Sequence, residues 1–242
     1  MMPHMNRIAI ALFAILAILG LVAPATAQER FEITSIKAVR PTLVNTINAL
    51  QQRDAAAAKE AFEAYDSGWN GIEFYVNVRS RPMYNLLEHE FQPRITKALA
   101  ESSPNFPVVQ ADVQAMLAKF DEMVAMIAAM PALHPLFDDV ARLRIVRAHL
   151  REVNPALKAD DLVKARKSFE AFEDAWFNIE DFVRAQSLDA YVAIETGMVQ
   201  LEQALLMPDK PDITAVTALV GSVMSQYNGV VTEVQKQARG AQ

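Results

Sequence analysis

Residues of this chain recur at a fixed offset of 107. Phe62-Glu63-Ala64-Tyr65 matches Phe169-Glu170-Ala171-Phe172, and the register continues without a gap: Trp69 with Trp176, Ile72 with Ile179, Glu73 with Glu180, Val76 with Val183, Ser80 with Ser187, Tyr84 with Tyr191, Glu88 with Glu195. Upstream, Arg40 pairs with Arg147, Leu43 with Leu150, Leu50 with Leu157 and Asp54 with Asp161; downstream, Leu99 pairs with Leu206, Pro104 with Pro211 and Val124 with Val231. From Val39 to Val124 there are 23 identities in 86 paired positions. This is the pattern of an internal duplication. The fold must therefore be one that can be written twice, and residues kept in both copies mark what each unit needs.

Each copy reads as four helices. In the first, apolar periodicity covers about Phe31 to Leu50, Asp54 to Arg79, Arg81 to Ala100 and Val108 to Ala129; in the second, about Leu136 to Val153, Asp160 to Gln186, Leu188 to Leu206 and Ile213 to Ala238. Asp54 and Asp161 are placed to cap the second helix of each set, Ser80 and Ser187 the third. Pro104, Pro107, Pro131, Pro135, Pro155, Pro208 and Pro211 read as punctuation between helices. Ser67-Gly68-Trp69-Asn70-Gly71 has the composition of a turn. Its counterpart, Asp174-Ala175-Trp176-Phe177-Asn178, lacks both glycines, so a helix with at most a local distortion is expected in each copy. Pro93 is expected to kink the third helix. Short connections imply antiparallel neighbours. The fold expected is all-α: two up-and-down four-helix bundles, residues 28–131 and 132–242.

Arg7 followed by the uncharged run Ile8 to Val22 and the small residues Ala25-Thr26-Ala27 reads as a signal peptide over residues 1–27. An uncleaved anchor is the competing reading, because nothing from Ile8 to Gln28 is charged. Beyond it the chain carries 22 basic and 29 acidic residues, a net charge of −7, and no basic stripe, so nucleic acid is not an expected partner. There is no cysteine, which removes disulfides, thiol catalysis and thiolate metal sites. Seven glycines in 242 residues leave little for phosphate-cradling loops. No nucleophile and base stand at recoverable spacing, so the chain reads as a binding protein, periplasmic or secreted, rather than an enzyme.

Phe62, Tyr65, Trp69, Ile72 and Val76 are spaced as a core seam, and so are Phe169, Phe172, Trp176, Ile179 and Val183. Glu73 follows the seam residue Ile72, and Glu88 follows Leu87 in the next helix. Counted from Ser80, both acids lie roughly 10 to 12 Å from the turn. In an antiparallel hairpin they face each other, and Glu180 and Glu195 do the same in the second copy. Facing carboxylates repel by about 1 kcal/mol at 4 Å in water and about 4 kcal/mol at an effective dielectric of 20. A cation held by Glu73, Glu88 and Tyr84, or by Glu180, Glu195 and Tyr191, would offset this, and such hard oxygen sets suit iron(III), calcium or manganese. So would an arginine, Arg40 and Arg147 being kept in both copies, or a shared proton. The acids could also simply be solvated. His89, His134 and His149 have no counterparts, and His134 falls in the connection between copies.

The pattern aromatic, x3, Trp, x2, Ile-Glu, x2, Val, x3, Ser, x3, Tyr, x3, Glu, at Tyr65 to Glu88 and Phe172 to Glu195, resembles the extracytoplasmic helical domain of bacterial high-affinity iron permeases. In architecture the chain is similar to the duplicated bundles of imelysin-like periplasmic iron-uptake proteins. The permeases' membrane helices with their Arg-Glu-x-x-Glu motif are absent, as is the Gly-x-His-x-x-Glu motif of imelysin-like proteins. The resemblance implies a component of iron acquisition that delivers iron to a membrane permease or another periplasmic protein, with Glu73, Glu88, Glu180 and Glu195 as the acidic positions. A metal-free module docking on a membrane or periplasmic partner is the alternative.

Overall fold

The computed structural model describes residues 29–241, so the signal-like segment lies outside them. Every regular element among the described residues is helical. Helix α1 is Phe31–Gln51, α2 Ala55–Arg79 and α3 Arg81–Asn85; a π-helical turn, Leu86–Phe91, leads into α4, Gln92–Leu99, and α5 is Phe106–Ala128. The second half has α6 Leu136–Lys158, α7 Leu162–Trp176, α8 Glu180–Gln186, α9 Leu188–Leu201 ending in a π-helical turn Glu202–Leu206, and α10 Ile213–Gly240. None of these helices is long and apolar enough to cross a membrane.

Local chemistry at positions 107 apart is the same. Asp54 accepts from the Ala57 amide and Asp161 from that of Lys164, both at 2.9 Å, which starts α2 and α7. Ser80 and Ser187 cap α3 and α9 in the same way. Just before the aspartates, Arg53 and Asp160 take left-handed backbone with φ of 56° and 59°. In each case the following amide reaches back five residues, the 6→1 pattern, from Asp54 to Ala49 and from Asp161 to Ala156. Trp69 and Trp176 are both fully buried. The aromatic rings around them exchange a hydroxyl: Tyr65 meets Phe120 edge-on, whereas Phe172 meets Tyr227.

Two expectations are corrected, the unbroken second helix of the second half and the role of two prolines. The glycine-containing stretch stays helical throughout α2, while the chain breaks in the other half, at residues 177–179, where the Asn178 and Ile179 amides bond back only three residues, to Ala175 and Trp176. Pro155 does not separate elements but lies in the last turn of α6, and Pro107 lies in the first turn of α5, where its missing N–H costs nothing. Pro93 follows a π turn that widens the ladder just before a residue with no N–H to give it. The second π turn does not lie 107 residues after the first; it comes at the end of α9.

A continuous apolar core spans both halves. They join chiefly where α2 crosses α6: Phe74 stacks on Phe137 with ring centres 5.4 Å apart, and the Tyr75 hydroxyl donates to Asp138 at 2.5 Å. Gly71 makes the crossing possible. A Cβ there would meet Cγ1 of Ile145 at 2.8 Å, inside van der Waals contact.

Candidate functional site

The seam residues are buried as their spacing requires, so Glu73 and Glu88 emerge beside the core on α2 and on the π turn after α3. Both acids lie within electrostatic reach of Tyr84. Burial raises the Tyr84 hydroxyl above its ordinary range, and the charges of Glu73 and Glu88 raise it further. Burial likewise pushes the Glu88 carboxyl up; the hydrogen bond it accepts from the Trp69 indole opposes the rise, and the negative charge of Glu73 adds to it. Glu73, Glu88 and Tyr84 thus share one field at the first hairpin.

Both glutamates already have protein partners. Glu73 is ion-paired with Arg144 of α6, each side chain only 14% exposed, and that guanidinium also stands 5.8 Å from the centre of the Phe74 ring. Glu88 accepts from Nε1 of Trp69 at 2.5 Å, and Glu195 from Nε1 of Trp176 at 2.5 Å. The two arginines expected to serve the glutamates go elsewhere. Arg40 forms a bidentate pair with Asp121 at 2.7 and 2.8 Å, and Arg147 donates to Asn228 at 2.8 Å. Asp121 and Asn228 are themselves 107 apart, so the retained arginines tie the first helix of each half to the last.

The second set of oxygens is arranged differently. Glu180 begins α8 after the break, half-buried, with no salt bridge or side-chain hydrogen bond among the described residues. Tyr191 lies flat against Trp176, ring centres 6.3 Å apart, with the Arg184 guanidinium 5.8 Å from its ring centre, whereas Tyr84 meets His89 edge-on. Among the described residues no group of three histidine, aspartate or glutamate side chains converges as a metal site. Glu73, Glu88 and Tyr84 are the oxygens that could hold a cation, with Arg144 competing for the first. His134 is in the connection between halves, where its Nδ1 accepts from the Leu136 amide.

Two features escape a reading by type alone. The tryptophans are hydrogen-bond donors as well as core, and their signal is the spacing of 19 residues to a glutamate, found in both halves. Arg144 has Lys37 as its counterpart, so no comparison of the copies picks it out. No protein-family model, curated protein or solved structure matches the chain.

Proposed function

We propose that the chain is an exported, duplicated helical module that binds a protein partner without metal and without catalysis, docking through the outer face of α9. The observation that carries this reading is a stripe on that helix. Leu188, Val192 and Val199, four and seven residues apart, share one face and are 60%, 52% and 51% exposed. The counterparts of Leu188 and Val192 are Arg81 and Asn85, both exposed, so the fold does not call for apolar residues there. An apolar stripe kept at solvent in one half alone is a contact surface. The net charge of −7 disfavours anionic lipid and points to a protein. On this reading Glu73, Glu88 and Glu195 are structural groups, each satisfied by an arginine or an indole.

A second reading, iron delivery through Glu73, Glu88 and Tyr84, is supported by the field those three groups share. Melting of chelator-treated protein separates the two. Under the structural reading Glu73→Gln strands a mostly buried guanidinium and costs about 3 kcal/mol, and iron(III) leaves the wild-type melting temperature where it was. A mutant as stable as wild type, with a wild-type melting temperature that rises with iron(III), overturns it. For the docking face, a photo-crosslinking residue at Val192 captures a partner in the producing cell and the same residue at Asn85 does not; equal yields would remove the role of α9.

A further inference from the structure

The crossing of α2 over α6 has a counterpart 107 residues away, α7 over α1, and the two are not alike. Gly71 and Ile145 close the first. Their counterparts, Asn178 and Ala38, line an open cleft of about 590 Å³ between helices that barely touch. Its walls are mainly apolar, formed by Phe31, Val39, Ile72, Ile145, Val146 and Ile179. The clamps of the closed side are missing as well: Tyr75 and Asp138 correspond to Phe182 and Phe31, and Arg144 corresponds to Lys37, which pairs with Glu29 rather than reaching Glu180. Helix α7 breaks at this level, and the break turns Phe177 out to solvent, 69% exposed. Corresponding positions therefore close this crossing once and leave it open once, with different residues in each.

Two polar groups converge on the cleft. Arg142 and Asn178 line it and also a smaller continuation of about 190 Å³ that holds Leu143 and Phe182. The Arg142 guanidinium sits 4.6 Å from the centre of the Phe31 ring and spends one donor on Asp139, at 2.9 Å and in an exposed pair three residues apart, which contributes little. Its remaining donors are open to a ligand among the described residues. Among the described residues the Asn178 side-chain amide makes only long bonds, donating to the Asp174 and Ala175 carbonyls at 3.4 Å. A mainly apolar cleft of this size with a few polar groups at one point has the make-up of a small-molecule site. We infer that the cleft between α1 and α7 binds a single-chain amphiphile with an anionic head, its chain lying on Ile72, Ile145, Val146 and Ile179 and its carboxylate on Arg142 and Asn178. This site is separate from the α9 face and from the glutamates, and stands or falls apart from both.

The test is displacement of anilinonaphthalene sulfonate from the purified protein by dodecanoate, with dodecyltrimethylammonium as the cationic comparison. Dodecanoate displaces the dye and the cation does so at least about tenfold more weakly. Arg142→Gln weakens dodecanoate by about tenfold, which is about 1.4 kcal/mol, without changing the affinity for dodecanol. Ala38→Trp, at an exposed position on the cleft wall, fills the space and abolishes binding of both while leaving the helical circular dichroism intact. Dodecanoate binding that survives Ala38→Trp overturns the site, as does a failure to displace the dye. Equal affinity for the cation, or indifference to Arg142→Gln, overturns the anionic head. Should Ala38→Trp prove unstable, Ala64→Trp, at another exposed position on the cleft wall, gives the same discrimination.

Discussion

Arg40 and Arg147 are the same residue in two settings, and the difference is a single atom in the partner. Asp121 holds the Arg40 guanidinium above its ordinary range through a paired hydrogen bond. Arg147, facing an amide at Asn228, is pushed down to about 10 by burial and by the neighbouring Arg144 and Arg151. Asn228→Asp supplies the missing charge and is expected to stabilise the protein by about 1 kcal/mol, seen as a higher denaturant midpoint at unchanged slope. Glu173 is strained in the opposite sense. Burial, then the charges of Glu202, Asp174 and Glu170, raise its carboxyl to about 7 from 4.5. The folded state keeps a proton that the unfolded state has released, so stability rises as pH falls from about 7 towards 4.5. Melting followed across that window should show the rise, and Glu173→Gln should flatten it. The Glu73 to Arg144 pair was out of reach of a sequence reading at this scale, because it joins one half to the other and helical periodicity speaks only within a helix.

Helices and their ends were the most legible level. Caps at Asp54, Asp161, Ser80 and Ser187 follow from side-chain chemistry alone, and the buried seams follow from spacing. What spacing could not tell is where a helix breaks. The residues that look most like a turn, Gly68 and Gly71, stay helical because α6 clamps α2 at that level, and α7 breaks where nothing clamps it. Local propensity is a weak prior beside such packing. The two helix ends at Arg53 and Asp160 hold left-handed backbone without glycine, which costs roughly 1 kcal/mol each. Arg53→Gly and Asp160→Gly should each raise stability by about 0.5 to 1 kcal/mol, and the double variant should give the sum in a thermal melt, since the sites share no partner. A loss at either site would mean that the side chain does more there than occupy the turn.

At the scale of the molecule, the halves are held by one close crossing, and its closeness depends on a missing side chain. Gly71→Val places atoms where Ile145 now lies and should cost about 1 to 3 kcal/mol, whereas Gly221→Val in α10, with open space around it, should cost less than about 1 kcal/mol by urea unfolding. The all-α character was readable from the helical spacing of the apolar residues. The relative placement of the halves was not, because a repeat fixes each unit and says nothing of how two units meet.

The first half is stitched shut within itself. Arg30 donates to the carbonyls of Ile127, Ala128 and Met130 at the end of α5, and Glu32 makes a buried bidentate pair with Arg79, which in turn reaches the Pro131 carbonyl. A chain synthesised from its amino end therefore has everything this stitching needs once residue 131 has been added, while the second half is still unmade. For that interval Phe74 and Gly71 have no α6 to lie against, and the nascent protein shows a bare apolar strip along α2. Helix α6, Leu136–Lys158, is the next helix to be made, so the exposure ends with the synthesis of the 27 residues after residue 131.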